Sequence, residues 1–242
     1  MQRSIRKVAV LGSGVMGSAI ACHFANVGCQ VLLLDIAPKE LTDEEKARGL
    51  AVDHKAVKNR IVQSSFDRSI KSSPGPIYSK KFVSRISLGN FDDDMAKIKD
   101  FDWIIEVVVE NLDIKKKVYE QVERYRKPGT LVTSNTSGIP IHLMAEGRSE
   151  DFKKNFAGTH FFNPPRYLKL FEIIPTPHTD PEVTKFLMHY GDLYLGKTTV
   201  LCKDTPAFIG HRVGVWGLLK VIAAMQKYNL NVDESDKLTG PV

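Results

Sequence analysis

Apolar residues recur along this chain in two rhythms. Short, nearly continuous apolar runs ("KVAVLGS", "QVLLLDI", "RISL", "WIIEVVVE", "TLVTSN") alternate with stretches in which apolar positions return every three or four residues. The first rhythm predicts strands buried on both faces, and the second predicts helices. Helical spacing covers Gly14 to Val27, "DDDMAKIK" and "NLDIKKKVYEQVERYR", the last closed by Pro128-Gly129. A polar, charged stretch from Leu41 to about Ser73 carries helical spacing in "HKAVKNRIVQSSFDRSIK" and ends at "SSPGP". It reads as a helical excursion inserted after the second strand. The alternation predicts an α/β fold with a doubly wound, mostly parallel sheet covered by helices on both faces.

Beyond "TLVTSN", two apolar segments, "NFAGTHFF" and "LFEIIP", flank a Pro-Pro pair. A helix from Asp180 to Tyr194 and a strand at "TTVLC" follow. From about Pro206 the texture changes to one long helical pattern, "PAFIGHRVGVWGLLKVIAAMQKYNL", with proline at its start. A second helix is expected near Asp233. The expected domains are residues 1–204, the α/β unit, and 205–242, the start of an all-helical C-terminal domain. The long helix is apolar on more than one face, through Val213, Trp216, Leu219 and Ile222 among others. Such a helix expects burial.

Composition changes this picture little. Of 242 residues, 43% are hydrophobic and 26% charged, as in ordinary globular proteins. No apolar run approaches the roughly 20 residues that span a bilayer, and the start lacks room for a leader, so a cytoplasmic protein with no membrane partner is expected. The net charge of +6 admits a nucleic-acid partner as one reading. The basic residues are interspersed with acids and lack an aromatic-interleaved basic motif. A solvated helix face is therefore the preferred reading, with no nucleic-acid partner and a mild attraction for anionic small molecules. Cys22, Cys29 and Cys202 have neither CxxC spacing nor an even count, so neither a metal nor a disulfide framework is expected.

The first candidate chemistry lies in "VAVLGSGVMGSAIA". The loop Gly12-Ser13-Gly14-Val15-Met16-Gly17 follows a strand and opens a helix, and Asp35 ends the next strand. That context makes G-x-G-x-x-G a dinucleotide fingerprint. Gly12 permits the tight turn, Gly14 lets the backbone approach a pyrophosphate, and Gly17 lets the helix pack on the strand. The helix N-terminus offers free N–H groups to the phosphates. Asp35 accepts from ribose hydroxyls and repels a 2′-phosphate, and Ile36, Ala37 and Pro38 supply no arginine for one. This pattern favours NAD over NADP. The competing reading makes Asp35 an ordinary strand-end acid.

The second candidate is the pair His160 and Glu172, one ionisable residue in each apolar segment flanking Pro164-Pro165. A buried carboxylate needs a partner or a proton. An imidazole on the neighbouring strand is a suitable one. A carboxylate that accepts from one ring nitrogen leaves the other as acceptor and stabilises the imidazolium. That is a general base with its orienter. The bland reading is a satisfied pair holding two strands together.

The ordered motifs "LGSGVMG", "VVVENLDIKKK", "SNTSGIPI", "GTHFFNPP", "KLFEIIPT" and "KDTPAFIGHR" resemble the NAD-binding part of the L-3-hydroxyacyl-CoA dehydrogenases of fatty-acid β-oxidation over nearly the whole chain. The resemblance implies a Rossmann-type domain, NAD as cofactor, an acyl-CoA substrate and a homodimer in the complete protein. It implies His160 as the base for the 3-hydroxyl proton, Glu172 as its orienter, and Ser137 as a hydrogen-bond partner of the substrate oxygen. It places Glu110, Lys115 and Asn163 at the nicotinamide–ribose end of the cofactor site. Other readings stand beside these: Ser137 as part of a helix cap, Glu110 as an exposed acid, Lys115 as a solvated lysine, Asn163 as a turn residue.

Two features depart from the family. Where its members carry an asparagine at the opening of the long helix, this chain has His211, which leaves the substrate-binding role of that position open. The family's helical domain also normally continues well past "LTGP", so that domain is expected to be truncated here. The expected function is NAD-dependent oxidation of an L-3-hydroxyacyl-CoA to the 3-oxoacyl-CoA, within a larger multifunctional protein as one form. The alternatives are a related dehydrogenase of a small non-CoA hydroxy acid and a non-catalytic protein of the same fold.

Overall fold

The computed structural model describes residues 3–240. Strands β1 (Lys7–Leu11), β2 (Gln30–Asp35), β3 (Ile86–Asn90), β4 (Trp103–Glu106), β5 (Leu131–Ser134), β6 (Phe156–Phe161), β7 (Leu170–Pro175) and β8 (Thr198–Leu201) form one sheet. Its order is β3-β2-β1-β4-β5-β6-β7-β8. Strands β1 to β6 are mutually parallel; β7 pairs antiparallel with β6, and β8 runs parallel to β7. The order reverses between β1 and β4, where an open α/β sheet binds its ligand beyond the strands' carboxyl ends.

The intervening helices are α1 (Val15–Asn26), α2 (Asp43–Ala47), α3 (Lys55–Lys58), α4 (Arg60–Ile70), α5 (Phe91–Asp94), α6 (Leu112–Tyr125), α7 (Ile141–Ala145), α8 (Glu150–Lys154), α9 (Pro181–Leu193), α10 (Gly210–Tyr228) and α11 (Val232–Thr239). One face of the sheet packs on α1, α4 and α9 through Phe24, Phe66 and Leu187. The other packs on α6, α7 and α8 through Tyr119, Met144 and Phe152. Both faces are covered, as near-continuous apolar strands demand.

Several boundaries differ from the sequence pattern, each for a local reason. The excursion is three short helices rather than one. Gly49, with a φ of +66°, ends the α2 turn, and His54 caps α3 through its ring nitrogen. The run "WIIEVVVE" leaves the sheet after Glu106, whose carboxylate accepts from the Val108 N–H and turns the chain aside. The long C-terminal helix begins at Gly210 rather than Pro206, because Ala207 and Phe208 hold left-handed backbone with φ of +62° and +43°. Helix α8, capped by Ser149, carries no apolar stripe long enough to announce it. Helix α10 packs against α11 and buries none of its own residues; Val213, Trp216 and Leu218 are all at least 60% exposed. Among the described residues no helix is long and apolar enough to cross a membrane.

Candidate active site

The glycine-rich turn joins β1 to α1 at the reversal of strand order. Gly12 has a φ of +107°, and a Cβ there would lie 2.5 Å from the Val107 carbonyl oxygen. A Cβ on Gly17 would lie 1.8 Å from the Gly12 carbonyl, so α1 seats on the turn only with glycine there. Above Gly14 the space is open. The Ser13 N–H and hydroxyl donate to Asp35 Oδ2 at 2.6 and 2.5 Å, and the Ile36 N–H donates to Oδ1 at 2.7 Å. Asp35 thus fixes the turn from the tip of β2, beside the α1 N-terminus. Val15 is exposed and Met16 half-buried at that N-terminus. The free N–H groups and the open space over Gly14 suit a dinucleotide pyrophosphate.

His160 and Glu172 are direct cross-strand partners in the β6–β7 register. Their side chains share a face, as opposite residues of an antiparallel pair must. Both are buried, and His160 Nδ1 donates to Glu172 Oε2 at 2.7 Å. The other carboxylate oxygen, Oε1, accepts from the N–H groups of Ile209 (3.0 Å) and Gly210 (2.7 Å) at the start of α10, and from the Cys202 thiol. Burial alone would raise the Glu172 carboxyl. The hydrogen bonds from His160, Gly210 and Ile209 outweigh it and hold the group below the ordinary carboxylate value. The His160 ring packs beside Phe162, Phe208 and His211, with centroids 4.4, 5.9 and 4.9 Å away. With Nδ1–H committed to a carboxylate, Nε2 is the proton acceptor.

His160 opens on a cleft of about 320 Å³ shared with Met16, Val108, Glu110, Ser137, Asn163 and His211. The cleft reaches α1 and the ends of β4, β5 and β6. Ser137 does not cap α7. That helix takes its N-terminal hydrogen bonds from Asp204, which accepts from Ile141 N (2.6 Å) and His142 N (2.8 Å). The Ser137 N–H donates instead to Glu110 Oε1 at 3.1 Å. Glu110 is no isolated acid: it also takes the Thr136 hydroxyl and lies 3.3 Å from the Lys115 ammonium. Burial pushes its carboxyl up, but Thr136, Lys115 and the Ser137 N–H leave it net below its ordinary value.

The solvated reading of Lys115 is wrong. Its side chain is 1% exposed and donates to Glu106 Oε1 at 2.7 Å. Glu106, fully buried at the end of β4, accepts in addition from Val108 N, Tyr119 Oη and Ser134 Oγ at 2.7, 2.9 and 2.6 Å. Nothing in the sequence pattern singled out Glu106, which hides inside an apolar run. Thr136, Asp204 and Asn135, which accepts from the Phe161 N–H, were likewise missed. Asn163 stands at an exposed turn, and it borders both the His160 cleft and a second one of about 420 Å³. The second cleft lies between the glycine turn and α4 and is lined by Arg68 with Ser65, Ser69, Ser72 and Ser73.

A doubly wound sheet, a glycine turn tied to a strand-end aspartate and a buried His–Glu pair facing the same crevice define a dinucleotide-binding domain of the dehydrogenase type. A profile of the 3-hydroxyacyl-CoA dehydrogenase NAD-binding domain matches residues 7–205. The chain belongs to this family, and NAD is its cofactor. It is 53% identical over all 242 residues to a probable 3-hydroxyacyl-CoA dehydrogenase of Bacillus subtilis, covering 31% of that protein. A Deinococcus radiodurans protein of the same description is 43% identical over 237 residues, with 98% of this chain and 64% of the relative covered. The crystal structure of 3-hydroxybutyryl-CoA dehydrogenase from Escherichia coli K12 superimposes with a TM-score of 0.70 at 31% identity, over 93% of this chain and 43% of the other. The chain therefore spans about a third to two thirds of the length of the curated relatives it matches.

Proposed function

We propose that this chain carries the cofactor-binding and base-bearing part of an enzyme that oxidises L-3-hydroxyacyl-CoA to 3-oxoacyl-CoA, a step of fatty-acid β-oxidation. The observation that carries the reading is the buried His160–Glu172 pair opening into the crevice beside the glycine turn. NAD, when bound, supplies the nicotinamide that accepts hydride from C3 of the substrate. The turn from Gly12 to Gly17 receives the pyrophosphate, and Asp35 receives the ribose hydroxyls and disfavours a 2′-phosphate. His160 Nε2 takes the 3-hydroxyl proton, so positive charge does not build on C3. Glu172 stabilises the imidazolium that forms. Ser137 and His211 border the substrate oxygen, and Glu110 and Asn163 border the nicotinamide end. Lys115 acts on that end through Glu106 and Glu110, its nearest partners.

The groove between the glycine turn and α4, with one guanidinium and five serines, Ser13 of the turn among them, suits a large anionic substrate better than a small hydroxy acid. The exposed apolar sides of α10 favour protein neighbours, in keeping with a homodimer built through a helical domain. The 31% coverage of the Bacillus subtilis relative is compatible with a larger multifunctional protein.

The test is NADH formation from L-3-hydroxyacyl-CoA of several chain lengths, beside the matching free hydroxy acids, with NAD and with NADP. Turnover of the thioesters with NAD is expected, and Asp35→Ala should relax the preference for NAD. Turnover of the free acids alone would favour a small-molecule dehydrogenase, and none with either would favour a non-catalytic role.

A further inference from the structure

The Ser137 peptide is held from both sides of the cleft. Its N–H donates to Glu110 Oε1 at 3.1 Å, on the segment that follows β4. Its carbonyl oxygen lies 3.2 Å from His211 Nδ1, in the first turn of α10. A carbonyl oxygen only accepts, so Nδ1 of His211 carries the hydrogen. The next residue back, Gly210, donates its N–H to Glu172, the carboxylate that orients His160. One carboxylate therefore holds both the His160 ring and the α10 turn that carries His211. The rings of His160 and His211 stand 4.9 Å apart by centroid, and both line the cleft.

We infer that His211 is a positioning residue, which with Glu110 clamps the Ser137 peptide so that the Ser137 side chain meets the substrate oxygen in register with His160. The inference rests on the dehydrogenase reading. Its physical basis is that reacting groups displaced by about 1 Å lose on the order of 100-fold in rate. Residue 137 lies on a connection between β5 and α7, and these two hydrogen bonds, with the Gly138 N–H on Thr136 Oγ1 at 3.4 Å, hold its backbone. The role also accounts for an imidazole at this position. His211 acts on a backbone carbonyl, and any side chain that brings an N–H to the same place performs the task. Asparagine is such a side chain.

The tautomer gives a test independent of activity. Nitrogen-15 spectra of the protein with labelled histidine should show a hydrogen on Nδ1 of His211. A neutral ring protonated at Nε2 would overturn the clamp. In the protein that carries this chain, His211→Phe keeps the ring bulk and removes the donor. Its kcat should fall about tenfold to a hundredfold, with KM for the thioester and NAD affinity nearly unchanged. His211→Asn should restore most of that loss. Combined with Ser137→Ala, His211→Phe should cost little beyond the serine change alone, since both remove the same contact. A His211→Phe variant with unaltered kcat, or effects that simply multiply, would overturn the proposal. Should the wild-type protein fail to oxidise any 3-hydroxyacyl-CoA, the dehydrogenase reading itself fails, and the tautomer still reports on the clamp.

Discussion

Glu172 and Glu110 each have their own partners, and those partners hold both carboxyls below the ordinary value. Glu172 serves a ring nitrogen with one oxygen and two helix N–H groups with the other. His23, on α1, shows the opposite treatment of an imidazole. It is buried, Nε2 donates to the Leu195 carbonyl at 3.0 Å, and Nδ1 has no partner. Burial, with Lys197 and Arg166 adding to it, lowers the ring to about 4 against an ordinary 6.5. Between those values the unfolded chain holds the proton and the folded chain refuses it. Stability should therefore fall as pH drops from 6.5 towards 4, by on the order of 3 kcal/mol. Urea unfolding across that window should show a shallower decline for His23→Gln, which keeps a donor for Leu195. An equal decline in both proteins would contradict the assignment. Of the candidate site residues, those with a local signal were legible in the sequence: Gly12 and Asp35 by spacing, His160 and Glu172 by polarity inside apolar runs. The surroundings of Lys115 were not legible, because its burial depends on Glu106, nine residues away and itself masked by valines and isoleucines.

At the level of elements, the end of β4 is where the sheet meets the site. Glu106 pairs in register with Ser134 of β5, and its side chain gathers Lys115 and Tyr119 of α6. The strand tip, the helix and the segment bearing Glu110 thus share one buried polar network. Removing one member leaves an uncompensated buried charge. Lys115→Met should cost about 3–5 kcal/mol of stability, and adding Glu106→Gln should return part of it by removing the stranded carboxylate. Chemical denaturation measures both, and a Lys115→Met protein as stable as wild type would contradict the network. The same tip explains why the pattern overran β4: periodicity records apolar character, and the Val108 N–H turns away to reach Glu106. The excursion broke into three helices because caps and a left-handed glycine act at single residues within a pattern that is helical on average.

Across the whole molecule, the strand order places the glycine turn and the His–Glu pair along one edge. The turn follows β1, the Ser137 segment follows β5, and His160 is next to last in β6, so parallel strands bring all three to their carboxyl ends. Reversal of β7 is what sets Glu172 opposite His160, and α10 begins on that same carboxylate. The doubly wound class was legible because alternating strand and helix patterns leave few arrangements open. The antiparallel β7 and the linkage of α10 to the His160–Glu172 pair were not, since they arise from tertiary pairing. The most direct measurement is the rate of NADH formation from L-3-hydroxyacyl-CoA by the protein carrying this chain, with His160 intact and as His160→Gln. If His160 is the base, kcat falls on the order of 10²–10⁴ while NAD affinity stays nearly the same. A His160→Gln protein that keeps near-normal turnover would place the chemistry on another residue and contradict the role given to the pair.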